Sequence, residues 1–298
     1  MADLYADLHV HSNASDGTDE PSGLPRVMIR SRVGVAALTD HDTIGGLMPF
    51  LDGCRAAGVQ GVTGIEVSAQ CEGGTLHLLI LGFDLLNPEL LTLVQWITDA
   101  RTRRNLGILQ RLQGMGVALS PAQVEAEAGA FSVGRPHFVS ALVNGGWARH
   151  RNDAWDRFVG DKAPAYVGRE KPPPGEIIET AHRAGAVVIA AHPISAVSRD
   201  INRLAPYLDT LREMGLDGVE AFHPSQGVDV ANALLRWAMQ RRLFCSAGSD
   251  YHGLNKPGVS MGQWGRRRMP VTPVTPLLER LGVADAVAVP AGTRVSGG

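Results

Sequence analysis

Cysteine is scarce in this chain of 298 residues: Cys54, Cys71 and Cys245 are all there are, and none forms a CxxC pair. An odd count at such spacings excludes a disulfide framework and a thiolate zinc site, and a reducing, cytoplasmic setting is expected. No sign of charge dominates. Twenty-eight Lys and Arg against 30 Asp and Glu leave a net charge of −2, so no overall basic field exists to hold a long nucleic acid. No apolar run reaches the roughly 20 residues of a membrane helix. The opening MADLYADL lacks a basic and an apolar signal region, so neither membrane insertion nor secretion is expected. There is no Gly-x-Ser-x-Gly elbow, and no cysteine lies near a histidine motif, which argues against a covalent serine or cysteine mechanism.

What is present is a recurrence of short apolar runs: YADLHV, VAALTD, GVTGIEV, LHLLILGF, AVVIAAH, LDGVEAF and LFCSAGSD. Helix-like stretches such as EPSGLPRVMIRSRV and GEIIETAHRAG separate most of them. Apolar strands alternating with helices predict a mostly parallel sheet, and seven of them favour an α/β barrel. Between about Asn87 and Val167 the apolar spacing is helical. The expected organisation is a first barrel part over 1–86, a helical insertion capping the substrate face over 87–167, a second barrel part over 168–285 and a Pro- and Gly-rich tail over 286–298.

Histidine is the informative residue. Of ten, seven fall on or just after the predicted strands: His9, His11, His41, His77, His192, His223 and His252. Asp16, Asp40, Asp42, Glu66, Glu220 and Asp250 accompany them. The i, i+2 pairs His9–His11 and Asp250–His252 would each project to one face of an extended segment. In a β/α barrel the strand ends share one mouth, and polar groups ending apolar strands need partners there. Imidazole and carboxylate without thiolate suit Mn²⁺, with Mg²⁺, Fe²⁺ or Zn²⁺ as alternatives. The donors are too many for one ion, so two or three are expected. Two metals a few ångströms apart are a common arrangement for displacement at phosphorus.

The segments DLHVHSNASDG, ALTDHDTIGGL, GIEVS, LHLLILGF, AAHP and GSDYH resemble, in that order, the motifs of the polymerase-and-histidinol-phosphatase (PHP) family. The resemblance implies a distorted (β/α)7 barrel with a trinuclear site. It places one metal on His9, His11, Glu66 and Asp250, a second on Glu66, His77 and His192, and a third on Asp16, His41 and His252. From the spacing alone His77, early in its run, reads as a core histidine. The insertion segments GRPHFVSALV and GDKAPAYV are similar to a branch containing 3′,5′-nucleoside bisphosphate phosphatases and short-RNA exonucleases.

The expected reaction is removal of the 3′-phosphate from a nucleoside 3′,5′-bisphosphate by a metal-activated hydroxide, leaving a 5′-nucleotide. Alternatives are a 5′-to-3′ exonuclease on short 5′-phosphorylated RNA and a histidinol phosphatase. A carbon–nitrogen amidohydrolase is disfavoured because Glu66 stands where a bridging lysine would be. A non-catalytic metal-binding module is disfavoured because the full donor set is present. Glu66, Arg135 and His223 are the candidate catalytic residues. Arg135 offers a planar fork for phosphate oxygens, and Lys162, His223, Asn13 and His137 join it as candidate substrate contacts. Asp40 and Asp42 either orient His41 or are solvated, and Glu220 reads as a local cap or pair. Arg101, Arg103, Arg104 and Arg111 read as a solvated helix face, and Arg266–Arg268 likewise.

Overall fold

The computed structural model describes residues 4–72, 75–128, 133–196 and 200–287. Among them, seven strands form one sheet in chain order: β1 (Tyr5–Val10), β2 (Val33–Leu38), β3 (Gln60–Ala69), β4 (Leu76–Leu81), β5 (Val187–Ala191), β6 (Gly218–Phe222) and β7 (Phe244–Ala247). All seven coincide with the apolar runs, and their near-continuous burial is that of a sheet covered on both faces. The sheet curls until its edges meet. Beyond β7, the Asp250 N–H donates to the His9 carbonyl and the His11 N–H to the Tyr251 carbonyl, each at 2.9 Å. Gly248 allows this close approach: a Cβ there would stand 2.1 Å from the Cβ of His9.

The sheet is parallel except at β4, which runs antiparallel to both β3 and β5. The reason is the short link between β3 and β4, too short for a helical crossover. Helices α1 (Leu24–Ser31) and α2 (Leu47–Ala57) make the first two crossovers. After β4 come α3 (Pro88–Gly114), α4 (Pro121–Ala128), α5 (Arg135–Asn144), α6 (Arg151–Ala154) and a π-helical turn, Trp155–Val159. Then α7 (Pro174–Arg183), α8 (Ile201–Glu213) and α9 (Val228–Gln240) cover the second part, and α10 (Thr275–Arg280) follows β7.

Helix α3 starts where Asn87 Oδ1 accepts the N–H groups of Glu89 and Leu90, at 3.1 and 3.0 Å, with Pro88 at the first helical position. Its two halves serve two cores. Leu90, Leu93 and Ile97 pack into the barrel core, whereas Ile108, Leu109 and Leu112 join Phe138, Leu142 and Phe158 in a second one. Though α3 is 27 residues long, it carries Asp99, Arg101, Arg103 and Arg104, and no described helix is long and apolar enough to cross a membrane. Of the expected tail, residues 288–298 lie outside the described residues.

Candidate metal centre and the adjoining cleft

Strand alternation turns His9 and His11 to the barrel interior, as their spacing predicts. Glu220, from β6, pairs with His9 Nδ1 at 2.9 Å, so Nε2 is the ring nitrogen turned to the mouth and, in the neutral ring a metal would need, the one that carries the lone pair. That Nε2 lies 3.1 Å from His11 Nε2. Between them and the other strand ends stands Glu66, fully buried. Its Oε1 lies 2.7 Å from His77 Nδ1 and 2.9 Å from His192 Nε2. Its Oε2 lies 3.0, 3.2 and 3.3 Å from His41 Nδ1, His11 Nε2 and His9 Nε2, yet has no hydrogen-bond partner. Each oxygen thus faces its own set of imidazoles. Asp250 Oδ1 is 3.4 Å from His11 Nε2, and Asp16 Oδ1 is 3.1 Å from His252 Nε2.

These atoms form overlapping groups in which all donors lie within 4.8 Å of one another: His9–His11–Asp250, His9–Glu66–His192, His41–Glu66–His77 and His11–Asp16–His41–His252. A buried carboxylate oxygen without a partner, ringed by ring nitrogens, is the donor chemistry a divalent cation satisfies. The residues present therefore fit the expected metals. All nine residues named as ligands from the sequence lie around this mouth. His77 lies there because β4 is reversed, which brings the beginning of β4 to the same end as the tips of the parallel strands.

Electrostatics follow from burial and crowding. Burial disfavours ionisation of Glu66, but the imidazoles of His41, His77 and His9 outweigh it and hold its carboxyl well below the usual range. Burial opposes protonation of His41, yet Glu66 and Asp16 raise it to about 9. Burial pushes Asp40 up to about 6 despite hydrogen bonds from Ser12 and Ser15. Asp42, His192 and Asp250 adopt left-handed backbone, with φ of 57°, 25° and 54°, a strain that clusters at the mouth.

Several surrounding residues differ from the sequence reading. Asp40 and Asp42 are buried rather than solvated: Asp40 accepts both Ser12 and Ser15 hydroxyls at 2.6 Å, bracing the β1 loop. Asp42 Oδ2 holds Arg101 at 2.5 Å and Arg169 at 2.7 Å, which joins α3 and the segment after the insertion to the barrel. Glu220 pairs, but with His9 across the barrel and not locally. The arginine stripe on α3 is divided. Arg103 pairs with Glu170 at the surface, whereas Arg101 and Arg104 turn into a cleft of about 620 Å³. Helical spacing shows which residues share a face, but not that a neighbouring element covers it. Arg266–Arg268 are exposed, as expected.

That cleft lies under the insertion and meets the mouth at His41, His77 and Thr75, which line both. Arg135 lines it, paired with Asp161 at 2.5 Å and lying over the rings of Trp155 and Tyr166 at 4.7 and 5.4 Å. His223 is buried at the mouth, its Nδ1 2.7 Å from Ser225 Oγ and its Nε2 3.2 Å from Asp250 Oδ2. Lys162 is exposed and outside the cleft lining. His137 is engaged in capping α5, its Nδ1 accepting the Gly134 N–H at 2.9 Å. Asn13 is half-buried in the β1 loop and does not line the cleft. Lys256, Arg169 and Lys171 were not singled out by sequence reasoning. Lys256 Nζ lies 2.5 Å from Asp250 Oδ2. All three lie in loop sequence outside the recognised motifs, Arg169 and Lys171 two residues apart.

Comparison with known proteins agrees with this geometry. The model of the PHP domain matches residues 7–106. The chain is 33% identical over 250 residues to a 5′-3′ exoribonuclease of Haemophilus influenzae, covering 83% of this chain and 89% of that one. It is 30% identical over 259 residues to a phosphoribosyl 1,2-cyclic phosphate 1,2-diphosphodiesterase of Eggerthella lenta (84% and 95%). It is 26% identical over 269 residues to a 3′,5′-nucleoside bisphosphate phosphatase of Chromobacterium violaceum (86% and 90%). Its fold superimposes on a Bifidobacterium adolescentis protein described as a metal-dependent phosphoesterase with a TM-score of 0.80, at 29% identity over 93% of this chain and 96% of that one. With the ordered histidine motifs, the seven-stranded sheet and the donor cluster, the chain belongs to the PHP family.

Proposed function

We propose that this chain is a metal-dependent phosphoesterase that removes the 3′-phosphate from nucleoside 3′,5′-bisphosphates and leaves a 5′-nucleotide. One observation carries the reading: Glu66 divides its two oxygens between two sets of imidazoles, at the edge of a cleft lined by cations. Family membership supports hydrolysis of phosphate esters. Two relatives, the bisphosphate phosphatase and the cyclic phosphodiesterase, are named for substrates with more than one phosphate on a ribose.

His9, His11, Glu66 and Asp250 would hold one ion, Glu66, His77 and His192 a second, and Asp16, His41 and His252 a third. Divalent ions, with Mn²⁺ the expected one, supply Lewis-acid polarisation of the phosphoryl oxygens and acidify water. Glu220 keeps His9 in the ligating tautomer. His223, held between Ser225 and Asp250, is placed at the mouth to protonate the leaving oxygen. Lys256 adds positive charge on the same side. The cleft receives the rest of the nucleotide, with Arg135 on its aromatic wall.

The test is a panel of adenosine 3′,5′-bisphosphate, adenosine 3′-monophosphate, histidinol phosphate and a 5′-phosphorylated trinucleotide RNA, assayed with Mn²⁺. The bisphosphate is expected to give the highest kcat/KM. A higher value for histidinol phosphate would overturn the substrate assignment. The second reading, a 5′-to-3′ exonuclease on short RNA, is favoured by the higher identity to the H. influenzae enzyme. A higher kcat/KM for the trinucleotide would establish it.

A further inference from the structure

Glu220 is fully buried and stands behind the donor cluster, touching two of its ligand sets. Its Oε1 lies 2.9 Å from His9 Nδ1, the nitrogen turned away from the mouth. Its Oε2 accepts the His192 N–H at 2.7 Å. His9 belongs to the first proposed set and His192 to the second. The backbone explains why a side chain is needed at His192. The register of β5 with β6 ends at Ala190–Val219, and Pro193, next in the chain, has no N–H to offer. His192 itself sits at φ 25°, a conformation that persists only where the surroundings hold it. The His192 ring is held separately: Nδ1 lies 2.9 Å from Ser195 Oγ, and Nε2 faces Glu66. Gly248 makes room for the Glu220 side chain, since a Cβ there would stand 2.5 Å from Glu220 Oε1.

We propose that Glu220 is a positioning residue shared by two metal sites, fixing the His9 ring in one and the backbone that carries His192 in the other. The proposal rests on the metal-centre reading above. Glu66 joins these two sets from the mouth side, and Glu220 joins them from behind. The third set, Asp16, His41 and His252, makes no hydrogen bond or ion pair with Glu220 among the described residues. A carboxylate is required because both partners present an N–H: the backbone always, and His9 Nδ1 whenever Nε2 ligates. A glutamine of the same shape has one acceptor oxygen and an NH₂ group, so it cannot accept from both. The first two ions are therefore coupled through Glu220, and the third is independent of it.

The experiment titrates Mn²⁺ calorimetrically into the chelator-treated chain and counts the ions retained after equilibrium dialysis by elemental analysis. The variants are Glu220→Gln, Glu220→Asp and Ser195→Ala, and metal-free thermal melts accompany each. Loss of a partner behind a ligand costs about 10- to 100-fold in metal affinity. Glu220→Gln is expected to weaken two ions together by that factor and to leave the third at its wild-type affinity. Ser195→Ala, at an exposed position behind the His192 ring alone, is expected to weaken only one. Glu220→Asp keeps both acceptors on a shorter stem, so the same two ions should weaken together, but less. It carries the test if Glu220→Gln does not fold. A Glu220 that only supports the fold would lower the metal-free Tm and leave every Mn²⁺ affinity unchanged, which overturns the proposal. Weakening of a single ion, or of all ions equally, in the Glu220 variants overturns it as well. Wild type that binds fewer than two Mn²⁺ per chain would overturn the metal-centre reading itself, and the shared role with it.

Discussion

At Glu66 both carboxylate oxygens are enclosed by imidazole nitrogens within 3.3 Å, so this side chain has two sets of partners to lose. Glu66→Gln replaces one acceptor oxygen with an NH₂ group that cannot ligate a cation. It is expected to lower kcat by more than the roughly 10- to 100-fold that follows loss of a partner behind a ligand, and to lower the metal content per chain measured by elemental analysis. His223→Ala removes a group outside the three proposed ligand sets and should cost less in activity and leave more metal bound. Comparable losses in both variants would mean that Glu66 is not shared between ions. Glu66 itself was visible in the sequence as a carboxylate ending an apolar run. Its two-sided surroundings were not, because they come from four other segments.

Among the elements, one contact that joins the insertion to the barrel is Asp42 with Arg101 of α3 and Arg169 beyond it. Asp42 also accepts the Ser68 N–H at 3.0 Å, which ties the loop after β2 to β3. Asp42→Asn leaves two guanidiniums in a covered cleft without their counter-charge. A loss of about 3–5 kcal/mol is expected in urea unfolding, the range for breaking a buried ion pair from one side. A loss under about 1 kcal/mol would show that solvent screens these arginines. The carboxylate was legible beside His41, but its partners lie 59 and 127 residues away. The direction of β4 has the same character. Its apolar run marks a strand, but the run reads alike in either direction. Only pairing with β3 and β5 reverses it and brings His77 to the mouth.

For the molecule as a whole, metal and fold are linked. The donors are contributed by separated segments from β1 to the loop after β7, so ions bound among them favour the closed sheet over the unfolded chain. Adding Mn²⁺ to chelator-treated protein is expected to raise Tm, by an amount equivalent to about 2.7 kcal/mol for each site filled at 100 times its Kd. The same addition should restore activity. A Tm indifferent to Mn²⁺ in protein that regains activity would place the metal in the substrate complex and not in the free enzyme.

The sequence by itself determined the elements and the inventory of the site. Strands and helices follow from local apolar periodicity, which a short window carries, and paired histidines on a strand end share a face by backbone geometry alone. The barrel followed from the alternation of those elements, and the PHP motifs from residues close together in the chain. Tertiary structure decided what depends on distant segments meeting: the reversal that recruits His77, the burial of Arg101 and Arg104 beneath the insertion, and the removal of His137 and Lys162 from the cleft. A side chain's charge is written in the sequence. Whether that charge is solvated, paired or covered is set by whatever the fold lays over it, and for Arg104 that covering leaves its Nε buried without a hydrogen-bond partner.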